Sequence, residues 1–140
     1  FFALAGLNRL DEAAAQARRA AETGAIGADE LGFYDALCAH WAGRPEEARR
    51  LYALPSTAAL CDREAAYAVL RDAHLGRWDA ALARVQQMRA DGDPGLLVVF
   101  GSRNGLDTRR DARFEAIACE LGWRPLGQML ADAARSPAAP

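Results

Sequence analysis

Apolar positions along this chain recur three and four residues apart, and glycine or proline interrupts each run, a pattern that predicts a succession of amphipathic helices. Phe33, Tyr34, Leu37, Cys38 and Trp41 share one side of a helix capped by Asp29 and running to about Ala42. Gly43 ends it, Pro45 opens a second helix to Leu54 with Ala48, Leu51 and Tyr52 inward, and Pro55-Ser56 is read as the stop. Asp62 to about Leu75 is amphipathic through Tyr67, Leu70, Ala73 and His74; after Gly76, Trp78 to Ala90 turns Ala81, Leu82, Val85 and Met88 inward. Upstream, Asp11 to Glu22 reads as an alanine-striped helix through Ala13, Ala17, Ala20 and Ala21, and Phe1 to Leu7 as the tail of another.

Downstream of Asp91-Gly92-Asp93-Pro94-Gly95 the pattern is weaker. Leu96 to Phe100 is short enough for either a buried strand or a short helix, and Asp93 as N-cap with Pro94 in the first turn selects the helix. Gly101 to Gly105 reads as a loop and Thr108 to Leu121 as a helix that carries Phe114, Ile117, Ala118 and Leu121 and closes at Gly122. Leu126 to Ala134 suits one more short helix, and Ser136 to Pro140 a frayed tail.

Two of these helix pairs repeat each other. Tyr34, Leu37, Gly43, Arg44 and Ala48 recur as Tyr67, Leu70, Gly76, Arg77 and Ala81, each 33 residues on, and Asp79 stands for Glu46. Arg9, Glu12 and Ala13 match Arg44, Glu47 and Ala48 at a spacing of 35, a clipped earlier copy. A period of this size argues for stacked helical hairpins, in which the alanine at 48 or 81 lets two helices approach closely. The expected division is 1–92 for the repeats, with a clipped unit at 1–27 and units at 28–60 and 61–92; 93–135 for atypical capping helices; and 136–140 for the tail.

Gly43, Pro45, Ala48 and Tyr52, and again Gly76, Trp78, Ala81 and Val85, resemble the tetratricopeptide repeat family, with its hairpin of about 34 residues, turn glycine and small residue early in the second helix. The resemblance covers about Leu4 to Ala90 and implies an all-α fold, a right-handed superhelical stack of antiparallel helix hairpins. Asp107 to Ala116 is also similar to the Asp-Pro-Arg-Phe segment that closes repeat arrays in some bacterial regulators and cyclase-type signalling proteins, with Ala112 in place of the proline.

Composition narrows the function classes. With 51% hydrophobic and 26% charged residues the chain reads as a soluble globular protein, and a net charge of −2 gives no general attraction to nucleic acid. The longest apolar run, Leu96 to Phe100, is too short to span a bilayer, and no signal segment opens the chain; a cytoplasmic location is expected. All 17 basic residues are arginines, read as coding bias from a GC-rich genome. The three cysteines, Cys38, Cys61 and Cys119, form no C-x-x-C pair and read as reduced thiols. The chain opens at Phe1-Phe2 inside an apolar pattern, as expected of a fragment, and Phe1, Phe2 and Leu4 on an open end suit self-association.

Candidate chemistry is sparse. His40 and His74 lie at nearly equivalent positions on successive hairpins, within the roughly 10 Å that separates packed helices. A metal would need a third ligand from Asp35, Asp72 or Cys38, and no ligand motif supplies one. A Cys38–His pair lacks an oxyanion hole, and Gly101 to Gly105 lacks the lysine of a phosphate loop, so no catalytic residue, metal or cofactor is assigned. Arg109, Arg110 and Arg113 cluster beside Asp107 and Asp111, which suits local ion pairing.

With the apolar stripe of each first helix turned to its neighbours, the opposite face is expected to line a groove of Asp35, Ala39, His40, Ala68, Arg71 and Asp72. That lining is mildly acidic. It lacks the lysine and asparagine with which clamp-type members of the resembled family hold a carboxylate, and it suits a peptide with some positive charge. The sequence therefore points to a noncatalytic protein–protein interaction scaffold binding a peptide or protein partner. The alternative is the regulatory or sensor region of a larger bacterial signalling protein, a transcription regulator or cyclase type.

Overall fold

Among the described residues, five turns, at Asn8, Gly24, Gly43, Gly76 and Gly92, are built to one pattern, and in three of them an arginine follows. At Gly43 (φ 71°) the Arg44 N–H donates to the Ala39 carbonyl at 2.9 Å and the Gly43 N–H to His40 at 3.0 Å. At Gly76 (φ 76°) the Arg77 N–H donates to the Asp72 carbonyl at 2.7 Å and the Gly76 N–H to Ala73 at 3.0 Å. Asn8 (φ 59°) holds the same place in the first turn, with Arg9 bonded to Leu4 and Asn8 to Ala5, both at 2.9 Å. Each is a Schellman closure, in which a left-handed residue satisfies the last carbonyls of one helix. The following arginine then leads directly into the next helix.

The computed structural model describes residues 1–101 and 111–122. Among them every regular element is a helix: α1 (Phe2–Gly6), α2 (Leu10–Glu22), α3 (Ala28–Trp41), α4 (Pro45–Tyr52), α5 (Pro55–Arg63), α6 (Ala65–His74), α7 (Trp78–Asp91), α8 (Leu96–Gly101) and α9 (Ala112–Glu120). The chain divides into two compact units, Phe1–Asp107 and Thr108–Pro140. The first carries α1 to α8, and α9 belongs to the second.

The helix boundaries of the sequence pattern differ from the structure most between residues 55 and 65. Pro55 does not only stop α4; it opens α5 at the first-turn position, as Pro45 opens α4, because its fixed φ and missing N–H suit a helix start. Glu64, in an extended conformation (φ −108°, ψ 105°), then separates α5 from α6, so Asp62 lies inside α5 rather than at the start of the helix that carries Tyr67 and Leu70. The unit boundary at 60/61 accordingly falls within α5. At α3 the N-cap is Gly27, whose N–H donates to Glu30 Oε2 at 3.2 Å. Asp29 sits inside the first turn and accepts from the Glu30 N–H and from Arg63.

Within the first unit α3 is central. It packs against α2, α4 and α5, and α6 packs against α5, α7 and α8. Phe33, Leu37, Ala48, Tyr52, Leu60, Cys61 and Leu70 form one buried cluster; Ala5, Ala13, Ala14 and Cys38 form another on the α2 side. Ala48 and Ala81 are both buried where α4 meets α3 and α7 meets α6, as close approach requires. Phe1 lies tilted over Tyr34 and Phe2 meets it edge-on, at ring-centroid distances of 4.5 and 6.0 Å, so the apolar N-terminal rings already cover part of α3.

The α5–α3 contact depends on a missing side chain. A Cβ at Gly32 would collide with the Thr57 hydroxyl, which is fully buried and has no hydrogen-bond partner among the described residues. In the second unit, α9 starts at Asp111, whose carboxylate accepts the Arg113 N–H at 3.0 Å, and it buries Phe114, Ile117 and Ala118 along one side. The readings of Gly101 to Gly105 beyond residue 101, of Arg109 and Arg110, of Leu126 to Ala134 and of the tail lie outside the described residues.

Candidate protein-interaction surface

Side chains of α3 meet those of α5 and α6 in a regular ladder. Asp29 pairs with Arg63 at 3.3 Å; Phe33 stacks on Tyr67 with centroids 4.3 Å apart; His40 stacks on His74 at 3.7 Å with the rings 8° from parallel. Each pair is 34 residues apart, which places α3 and α6 side by side and running in the same direction. The imidazole pair is closer than helix spacing alone implies because both rings lie flat in the seam. Tyr52 of α4 shares a hydrogen bond of 2.9 Å with His74 Nδ1, and Trp41 meets the same ring edge-on. Burial holds the Tyr52 hydroxyl well above its ordinary pKa, so it stays protonated.

A second cluster surrounds Asp72. Its side chain is only 4% exposed, yet three guanidiniums converge on it: Arg71 Nε at 3.4 Å, Arg77 at 3.6 Å and Arg84 Nε at 3.1 Å. Arg71 also reaches Asp62 at 2.9 Å. Arg71 is itself largely covered, whereas Arg77 and Arg84 keep 60% and 43% of their side chains in solvent. The cluster is therefore an ion network with a dry centre and a wet rim of Arg77, Arg84 and Asp62.

No family model, curated protein or solved structure matches the chain. Its function has to be read from these two clusters and the helices that carry them.

The six residues expected to line a groove do not form one open wall. Ala39, Ala68 and Asp72 are buried, at 1%, 0% and 2% exposure, because α3 and α6 are each packed on several sides rather than on a single stripe. Arg71 is turned inward to Asp72. Asp35 and His40 keep part of their surface; Asp35 lies 3.8 Å from Arg18, and burial pushes its carboxyl above the ordinary range despite that cation. The acidic lining thus reduces to Asp35, with Asp72 neutralised in the interior.

The alternatives with reactive chemistry gain nothing from the geometry. Burial pushes the Cys38 thiol up to about 11, the wrong direction for a nucleophile, and its Sγ faces the Leu10 carbonyl. Among the described residues no three His, Cys, Asp or Glu side chains converge as metal ligands. No described helix is long and apolar enough to cross a membrane. Arg113 pairs with Asp111 at 2.6 Å.

Sequence reasoning missed Arg77 and Arg84 as site residues. The signal was present as a break in the repeat: Cys38, Ala39, Glu47 and Leu51 in one unit become Arg71, Asp72, Ala80 and Arg84 in the next, each 33 residues later.

Proposed function

We propose that this chain is a noncatalytic protein-interaction scaffold, a right-handed stack of antiparallel helix hairpins that offers its helix surfaces to a peptide or protein partner. The observation that carries the reading is the ladder of Asp29–Arg63, Phe33–Tyr67 and His40–His74, which sets successive units side by side in register. A repeat aligned in this way builds an extended surface out of identical turns, and partner choice falls to the side chains that do not repeat. The partner is held by contacts, not transformed.

Display selection tests the reading. The 140-residue chain, immobilised and challenged with a random peptide library, is expected to enrich one motif whose free peptide binds saturably and competes with the displayed form. A selection that enriches nothing across repeated rounds overturns it.

A further inference from the structure

The turn arginine is the most constant polar feature of the repeats, and it is satisfied differently in the last unit. In the first, Arg9 Nε bonds Glu12 at 2.6 Å; in the second, Arg44 bonds Glu47 at 2.6 Å. Both pairs span three residues on the opening turn of a helix, where a carboxylate is also favoured by the helix dipole. In the third unit the glutamate is replaced by Ala80, and Arg77 leans instead toward the buried Asp72.

Arg84 joins it from one side and Arg71 from the other. The corresponding positions of the preceding unit, Leu51 and Cys38, are uncharged and pack as partly and fully buried side chains, and Ala39 stands where Asp72 does. The fold therefore accepts an apolar contact here. A buried ion network in its place adds little stability over such a contact, because desolvating the charges offsets most of their attraction.

Three guanidiniums facing Asp72 and Asp62 leave one positive charge in excess, and that excess lies on the rim. Arg77, the N-cap of α7, and Arg84 are seven residues apart in the chain, and their guanidiniums converge on the two oxygens of the one Asp72 carboxylate, so the charges lie closer together than the backbone positions that carry them. Between them Ala80 is exposed and small, so the strip is flat. Asp79 lies around the helix from this strip, and the hydrogen-bonded Gln87–Asp91 pair marks its far end. Asp72 braces both arginines from beneath, which reduces the ordering entropy that free arginines would lose on binding.

We infer that the Arg77–Ala80–Arg84 strip of α7 docks an acidic peptide segment, its carboxylates pairing with the two braced guanidiniums. In an extended peptide, carboxylates two residues apart lie on one face about 7 Å from each other, a spacing that suits two guanidiniums gathered over one carboxylate. A nucleic-acid strand fits less well, since two arginines do not make a basic track and the chain as a whole carries a net charge of −2. The inference rests on the scaffold reading and specifies its partner.

Fluorescence anisotropy on the full chain tests it, using labelled peptides of one length: acidic with Asp or Glu at every second position, neutral with Asn or Gln there, and basic. The acidic peptide is expected to bind best and to weaken as salt rises. The Arg77→Gln/Arg84→Gln double variant is expected to lose about tenfold in affinity. Ala80→Glu deletes no member of the network: it offers Arg77 the partner that Arg9 and Arg44 have and draws it from Asp72, on which Arg71 and Arg84 remain, and it is expected to lower acidic-peptide affinity about as much while helicity by circular dichroism is unchanged. Arg44→Gln, away from the strip, is expected to leave binding intact. Equal binding of acidic and neutral peptides, unchanged affinity in Ala80→Glu, or tighter binding of a single-stranded oligonucleotide overturns the inference. Preference for the neutral or basic peptide overturns the acidic strip alone, whereas failure of every peptide removes the scaffold reading with it.

Discussion

Asp72 shows how a single buried carboxylate can organise the side chains around it. With 4% of its side chain exposed and three guanidiniums on it, neutralising it leaves the largely covered Arg71 with the exposed Asp62 as its carboxylate partner. Breaking a fully buried pair costs about 3–5 kcal/mol, but Arg77 and Arg84 can turn to water, so Asp72→Asn is expected to cost about 2–3 kcal/mol in urea unfolding. A loss under about 0.5 kcal/mol would show that the network is only a surface pairing. The thiols give a residue-scale test of burial. Cys38 and Cys61 are buried and pushed from about 9 up to about 11, whereas Cys119 is exposed. The folded chain keeps those two protons over a range where the unfolded chain has released them, so stability falls as pH rises from about 9 to about 11. At mildly alkaline pH an aromatic disulfide reagent is expected to titrate Cys119 quickly and the other two only after denaturant is added. Three equal fast phases would contradict the buried placement.

At the scale of elements, α5 is where pattern reading and structure part company, and its contact with α3 gives the sharpest test. Gly32 leaves room for Thr57, so Gly32→Ala combines a better helix former with a collision and is expected to destabilise by about 1–3 kcal/mol. Thr57→Ala in the same chain removes the obstructing hydroxyl and its unsatisfied burial, and is expected to recover most of that loss in a double-mutant cycle followed by thermal melting. Strict additivity of the two changes would show that α5 does not press on Gly32. The turns were legible in the sequence because Gly43, Gly76 and Pro45 act through their own backbone chemistry. Pro55 was not, because the same ring chemistry that ends one helix starts another, and only packing against α3 decides which. The burial of Ala39, Ala68 and Asp72 among the expected groove residues has a related reason. Helical period gives the apolar side of α3, but Ala36 and Ala39 on its other sides are covered as well, by helices the period does not mention. Arg77 and Arg84 were legible only by subtraction, once Glu47 and Leu51 are set against Ala80 and Arg84 position by position.

Across the whole of the first unit, the helix pairs α3–α4 and α6–α7 meet through the seam of α3 with α5 and α6. In a stacked array each repeat contacts its neighbours, and total stability divides into terms within repeats and terms between them. Between the α3–α4 and α6–α7 helix pairs, beside the packing of α5 on α3 and α6, run Phe33 on Tyr67, His40 on His74, and the hydrogen bond of Tyr52 to His74. Truncating Tyr67 removes the ring that stacks on the fully buried Phe33 without touching the Gly43 or Gly76 turns, so each hairpin keeps its own closure. Tyr67→Ala is therefore expected to cost about 3 kcal/mol and to act on coupling as well as on stability. In guanidinium unfolding followed by tryptophan fluorescence, with Trp41 on α3 and Trp78 on α7, the parent chain is expected to lose both helix pairs in one transition. The variant, with its seam opened, is expected to show a lower apparent m-value or two separated steps, since less surface unfolds together. His40→Ala removes the adjacent stack and is expected to move the transition the same way by a smaller amount. A Tyr67→Ala curve that only shifts its midpoint, with the slope of the parent, would mean that the hairpins are coupled through α5 packing and not through the ring ladder.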